Sequence, residues 1–348
     1  MATSRYQRVL WAGQDAVRRL KWPLKQAAKR RPAIMKARND LVRRYHELLL
    51  KGAGVRGRLS TGETATGGVR PENMIWIFCI SRSGSSWLRS MIADLGDYKV
   101  WEEPGVGRLF GAPYTRAQRN KRASTDFILA DATRKGWIKS IRNFVLDGAR
   151  YAHPFLGPDD HLVIKEPDGS LGAPLLMEAL PESRMVFLIR DPRDAVASAL
   201  DAHRKGGWMY EVRDKGVRKK NPLASRNPDN YVRVRSNTYL EQISSIKEAY
   251  NAHRGRKVLV RYEDLRADTL GTMKRICSAL EIPVEEGTLI RVIEKHSWER
   301  VPEQEKGEGR FYRKAKPGGW REDLTPEQIE LIESITAPLL EEFYYDKG

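Results

Sequence analysis

Cysteine is almost missing from this sequence: Cys79 and Cys277 are the only two among 348 residues. Two cysteines cannot build a disulfide framework, so a reducing, cytoplasmic setting is expected, with both thiols packed in the interior. No apolar run approaches the ~20 residues that a membrane-spanning helix requires. No uninterrupted apolar stretch of the signal-peptide kind lies near the N-terminus. The Walker pattern G-x-x-x-x-G-K-[ST] is absent, which counts against a P-loop nucleotide kinase or NTPase. No His/Cys/Asp spacing suits a metal, so none is expected. No internal repeat occurs, which sets aside solenoid architectures.

Acidic residues are scarce at one end only. Residues 1–60 hold 16 Lys/Arg against 3 Asp/Glu, a net of +13, whereas the other 288 hold 46 against 42, a net of +4. The overall charge of +17 therefore says little about the body of the protein, and a nucleic-acid-binding core is not expected. In residues 1–58, Val9, Leu10, Ala16, Val17 and Leu20, then Ile34, Ala37, Leu41, Tyr45 and Leu48, recur at helix-like intervals broken by Pro23 and Pro32. This reads as a basic helical extension. Such a segment can pack on the domain, lie peripherally on an anionic membrane, bind nucleic acid or act as a presequence. Residues 59–70 are Gly- and Thr-rich and read as a linker. The main domain is expected over 71–348.

From residue 71 onward, short apolar runs at 74–80, 161–165, 185–189 and 257–261 alternate with helical patterns at 86–95, 171–180, 192–202 and 268–280. Alternation of this kind predicts an α/β fold with a central parallel sheet flanked by helices. Thr325-Pro-Glu-Gln328 is a capping box that opens a last helix. Residues 204–237, polar and rich in Gly, Lys and Arg, are expected to form a mobile surface insertion or lid.

The densest information lies in Ile80–Leu88, I-S-R-S-G-S-S-W-L, directly after the apolar run 74–80. Trp87, Leu88, Met91, Ile92 and Leu95 then follow at helical spacing. A strand feeding a helix through small polar residues gathers backbone N–H groups and the helix dipole at one point, which favours an anion. Gly84 permits close approach, Ser83, Ser85 and Ser86 offer donors, and Arg82 supplies a fixed charge. The plainer alternative is a strand–turn–helix junction with a serine as helix cap.

Phe187-Leu-Ile-Arg-Asp-Pro-Arg-Asp-Ala-Val-Ala-Ser198 is the second segment. A strand ends at Ile189, Asp191 can cap a helix starting at Pro192, and Arg190 with Ser198 can clasp a second phosphate. Its alternative is a salt-bridged helix start, with Arg190, Asp191, Arg193 and Asp194 pairing among themselves. Gly309–Thr325 reads as an ordered basic loop presenting Arg313 and Lys314.

In combination and in this order, these segments resemble the sulfotransferases that use 3′-phosphoadenosine 5′-phosphosulfate (PAPS). Ile80–Leu88 is similar to that family's 5′-phosphosulfate loop, and Phe187–Ser198 to its 3′-phosphate motif, with the Arg-to-Ser spacing kept. Tyr262-Glu-Asp-Leu265 is similar to its Tyr-Glu-Asp-Leu segment, and Phe311–Thr325 to its Phe-x-Arg-Lys-Gly-x-x-Gly-x-Trp loop. The resemblance covers about residues 74–345. It implies PAPS as co-substrate, no metal, and a hydroxyl, less readily an amine, of a small molecule, glycan or glycolipid as acceptor. It implies that Ser83, Gly84, Ser85 and Ser86 bind the phosphosulfate, and that Arg82 stabilises charge on the bridging oxygen. Arg190, Ser198, Arg313 and Lys314 would hold the 3′-phosphate. Trp87 and Tyr262, with Phe311 and Trp298, would border the adenine.

The sequence also departs from the animal cytosolic branch, whose Lys-x-His supplies a base. Here the corresponding residues are Lys165-Glu-Pro-Asp168. Carbohydrate-acting branches use a glutamate after the first helix, often as Glu-Pro, and Val100-Trp-Glu-Glu-Pro104 is similar to that. Glu103 is the expected base, with Glu102 and Glu166 as alternatives, and Lys165 orients the transferred group. Ala315 stands where the family has glycine. If that position needs positive φ, the loop is expected to differ locally. An inactive relative that keeps the fold is the remaining alternative.

Overall fold

The computed structural model describes residues 68–96, 98–119, 127–212, 223–343 and 345. The basic extension expected over 1–58 and the linker up to residue 67 lie outside the described residues.

Five strands form one parallel sheet: β1 (Met74–Phe78), β2 (Lys99–Glu102), β3 (Leu162–Lys165), β4 (Arg184–Ile189) and β5 (Lys257–Arg261). Their order is β2-β3-β1-β4-β5. The chain leaves β1 for the far edge, returns to β3, and then crosses to β4 on the other side. The order thus reverses around β1, and a crevice opens at its carboxyl end.

Alternation along the strands supplies two cores. Trp76, Phe78, Ile164 and Phe187 face α3 (Arg134–Ala152), α4 (Ala173–Ala179), α6 (Pro228–Ala252) and α10 (Pro326–Glu342). Ile75, Ile77, Val163, Val186 and Leu188 face α1 (Ser85–Asp94), α8 (Thr269–Ala279) and α9 (Glu286–Lys295). Strands covered on both faces read as continuous apolar runs, which is why the sequence exposes β1, β3 and β4 so clearly, whereas β5 buries only Val258 and Val260. Each fully buried side chain of this size contributes about 1.5–3 kcal/mol. Cys79 and Cys277 are both buried free thiols, and burial pushes each up to about 11.

Three further helices complete the frame: α2 (Val106–Arg119), α5 (Pro192–His203) and α7 (Tyr262–Ala267). Asp191 caps α5 by accepting the Arg193 N–H at 2.8 Å, and Thr325 and Gln328 form the expected capping box on α10. The expected insertion over 204–237 is corrected. Residues 228–237 open the 25-residue helix α6, capped by Asn227 and buried at Tyr231, Val232 and Ser236. Its polarity belongs to a helix that shows one face to the core and others to solvent and a cavity, so the mean composition conceals the apolar stripe. The strand β2 and helices α2 and α3 were also not expected. β2 is a four-residue edge strand with no fully buried residue. In α2, Gly107 and Gly111 are needed because a Cβ there would meet Gly169 O at 2.1 Å and Gly172 Cα at 2.5 Å.

Candidate active site

Every strand delivers residues to one cavity of about 570 Å³ at the carboxyl edge of the sheet. Ser81–Ser86 follow β1, Glu103 follows β2, Lys165 ends β3, Arg190 follows β4 and Tyr262 follows β5. Four described non-glycine residues have positive φ, and three of them, Arg82 (75°), Glu103 (50°) and Ala315 (49°), line this cavity. Strained backbone of this kind costs about 1–3 kcal/mol per residue and clusters where geometry serves a ligand.

The loop after β1 turns through Arg82 and Gly84, both left-handed. Gly84 is the cap of α1 and no side chain caps that helix, so the serine-cap alternative is set aside and the first-turn N–H groups have no capping partner. Gly84 is required twice over: its φ is 86°, and a Cβ would stand 2.5 Å from the Tyr262 ring. Ser85 and Ser86 line the cavity, while Ser83 is fully buried behind it.

Around this loop the structure gathers a cationic group. Arg82 donates to Ser198 Oγ at 3.1 Å and to the Phe311 carbonyl at 2.8 Å. Arg190 donates to the Arg82 carbonyl at 3.0 Å, and its guanidinium lies 4.4 Å from the Tyr262 ring centroid. The Arg190 Nε is buried with no hydrogen-bond partner among the described residues. Burial, then the nearby Arg190 and Arg313, lower the Arg82 pKa to about 10. The Arg82 guanidinium is thus engaged with Ser198 and the Phe311 carbonyl. Trp87 donates to the His296 carbonyl and meets the Tyr262 ring edge-on, and Trp298 and Phe311 also line the cavity.

Arg313 and Lys314 line the same cavity but are paired: Arg313 with Asp323 at 2.8 Å, Lys314 with Glu322 and Asp323 at 2.7 and 2.9 Å. Their loop is held by Asp194, a fully buried carboxylate that accepts the N–H groups of Gly318 and Trp320. Burial raises its pKa, against the pull of Arg190 and those amides. The pairing expected among Arg190, Asp191, Arg193 and Asp194 is thus partial: Arg193 binds Asp191 and Glu333, and only a 3.7 Å contact joins Arg190 to Asp194. Ala315 does take positive φ, so the loop keeps a glycine-like backbone with alanine in it.

On the other flank, Lys165 Nζ lies 3.1 Å from Ser86 Oγ, 2.6 Å from Glu102 and 2.8 Å from Glu103. Burial opposes the Lys165 charge, but the two carboxylates outweigh it and hold its pKa above the ordinary value. Glu102 also pairs with Arg89 at 3.2 Å. Of the two, Glu103 lines the cavity. Glu166, an expected alternative base, does not: its buried carboxylate accepts the N–H groups of Gly105 and Gly107, a structural engagement. Asp194, Asp168, Arg108 and Arg235 were missed as site residues. The 4-residue step from Asp194 to Ser198 placed both on one helical face and was the available signal.

A family model described as "Sulfotransferase domain" matches residues 72–344. The chain belongs to the sulfotransferase family. Cytosolic sulfotransferase 16 of Arabidopsis thaliana is 24% identical over 273 residues, 64% of this chain and 77% of that protein. Cytosolic sulfotransferase 17 of the same plant is 23% identical over 287 residues, 68% and 79% of the two chains. Among solved structures, sulfotransferase STF9 from Mycobacterium avium superposes with a TM-score of 0.50 at 13% identity, covering 80% of this chain and 79% of that one. Mouse sulfotransferase SULT7A1, complexed with PAP, gives 0.48 at 13% identity over 78% and 85%. This sulfotransferase has, among its described residues, no cluster of three or more His, Cys, Asp or Glu that could hold a metal, and no helix long and apolar enough to cross a membrane.

Proposed function

We propose that this sulfotransferase moves the sulfuryl group of PAPS to an acceptor hydroxyl and releases adenosine 3′,5′-bisphosphate (PAP). The observation that carries the reading is the convergence of Arg82, Arg190, Ser198 and Arg313 beside the uncapped start of α1, with Tyr262 packed against Gly84. Two anionic groups joined by a nucleoside fit such a surface: a phosphosulfate on the α1 amides and a 3′-phosphate among the arginines. The unpartnered Arg190 Nε is a donor awaiting an oxygen. Trp87 and Tyr262 offer apolar faces to the base.

The acceptor oxygen bonds to sulfur as the sulfur–oxygen bond to the 5′-phosphate breaks, and the acceptor proton passes to Glu103. Lys165, within reach of both Ser86 and Glu103, orients the transferred group and balances its charge. Arg82, through Ser198, belongs to the clamp on the donor nucleotide. Glu166 positions Glu103 by fixing the turn through Gly105 and Gly107. The curated relatives are cytosolic by name, and a cytoplasmic place for this chain agrees with its two free thiols.

Calorimetric titration with PAP, Mg²⁺-ATP and adenosine 5′-monophosphate tests the donor site. Metal-independent PAP binding that needs the 3′-phosphate, and weakens roughly 10–100-fold in Arg190→Ala, is expected. Preference for Mg²⁺-ATP would refute it.

A further inference from the structure

Two groups of residues of different character line the cavity. One is the arginine cluster with Tyr262. The other comes from segments that meet at the turn Ser170–Gly172, on which two helices converge. α2 presses Gly107 and Gly111 against it, and α6 is tied to it by Ser245 Oγ donating to the Leu171 carbonyl at 2.9 Å. Asp168 stands just before this turn, Arg108 faces the cavity from α2, and Arg235, Thr238 and Gln242 face it from α6. The last three are spaced by three and four residues, one face of the helix. α6 buries its other stripe, Tyr239, Ile243 and Ile246, in the core. A long helix has therefore turned a polar stripe toward the cavity.

Two cations in that wall are unbalanced. Arg235 donates to Ser81 Oγ at 2.9 Å, its Nε is buried without a hydrogen-bond partner among the described residues, and no described carboxylate pairs with it. Arg108 likewise makes no ion pair with a described residue. Lys165, by contrast, is already neutralised by Glu102 and Glu103. Asp168 and Gln242 add an acceptor and a two-way hydrogen-bonding amide. A flat phenol or sterol would cover the part-buried Arg235 and Gln242 without giving them a partner, at a cost for each.

Resting on the donor reading above, we propose that the acceptor is a hydroxyl-rich molecule carrying an anionic group, of the acidic-sugar class. Arg108 and Arg235 hold the anion, and Asp168 and Gln242 hold neighbouring hydroxyls. A guanidinium meets a carboxylate with two parallel hydrogen bonds, so the pair selects for charge and for planar geometry.

Binding tests this without requiring turnover. The full chain, free and loaded with PAP, is titrated with methyl β-D-glucuronide, methyl β-D-glucoside and 4-nitrophenol. The glucuronide is expected to bind about 10-fold or more tighter than the glucoside, a preference that falls to within about 3-fold in Arg235→Gln and in Arg108→Gln. Arg235→Lys keeps the charge without the planar fork and retains part of it. Unchanged PAP affinity in each variant marks an intact fold. Equal binding of the two sugars, tighter binding of 4-nitrophenol, or no sugar binding overturns the proposal. Failure of PAP itself to bind refutes the donor reading instead, and the titration of the free protein still decides the acceptor question.

Discussion

Asp194 Oδ1 accepts the backbone N–H of Trp320 at 3.0 Å, joining residues 126 positions apart in the chain. Its other oxygen takes the Gly318 N–H at 2.8 Å. The loop that presents Arg313 and Lys314 is therefore hung on one buried carboxylate at the start of α5.

Asp194→Asn tests that suspension. An amide side chain matches one backbone N–H with its oxygen but turns an NH₂ toward the other. Loss of about 1–3 kcal/mol of stability is expected, with PAP affinity falling about 10-fold. Thermal melts and calorimetry read the two effects; unaltered PAP binding would show that the loop finds its place without Asp194.

Glu103 and Glu102 separate by position. Both touch Lys165, but only Glu103 lines the cavity. Glu103→Gln should lower kcat by about 100-fold or more while leaving PAP affinity intact, and Glu102→Gln should stay within a few-fold. Turnover of Glu103→Gln close to that of the parent would remove it as the base.

Ala315 pays for a backbone made for glycine, with φ at 49°. A left-handed non-glycine residue costs about 1–2 kcal/mol, and glycine returns part of the gain through the entropy of the unfolded chain. Ala315→Gly should thus stabilise the protein by roughly 0.5–1 kcal/mol in denaturant titrations. Ala315→Val should destabilise it.

Asp94 supplies a pH dependence. Its carboxylate accepts from the His296 ring at 2.5 Å and from Lys295 at 2.7 Å, and the His296 bond above all lowers its pKa from 3.8 to about 2. A lowered carboxylate stabilises the folded state above its unfolded pKa and loses that contribution as pH falls through the folded one. The melting-temperature gap between the parent and Asp94→Asn should be open above about 3.8 and close as pH falls toward about 2. A gap that widens as pH falls would contradict this sign.

Two-sided burial made β1, β3 and β4 legible, because Met74–Phe78 or Arg184–Ile189 can be read as nothing but interior, and β5 shows instead through its alternating buried Val258 and Val260. The site was legible where chemistry demands a rare pattern: Gly84 among serines, and Arg190 eight positions before Ser198. Asp194 was hidden by neighbours of opposite charge, which made a local salt bridge the simpler reading, although its partners are amides in a distant loop. Arg235 was hidden by the polarity of 204–237, and Gln242 follows it two turns later on the same helix. A polar stripe facing a cavity has the same composition as one facing solvent, and only the third dimension separates them. Ala315 shows the reverse case: a departure from the family's glycine that still takes a left-handed backbone.

The sheet also sets an order across the cleft. From one edge to the other it carries Glu103, Lys165, the Ser81–Ser86 turn, Arg190 and Tyr262, one station per strand at intervals of about 4.8 Å. The proposed donor and acceptor would lie along this row as along a ruler. Under the proposed reading, the base at the β2 margin and the nucleotide grip two or three strands away rest on separate strands, so a substitution at one can leave the other as it is.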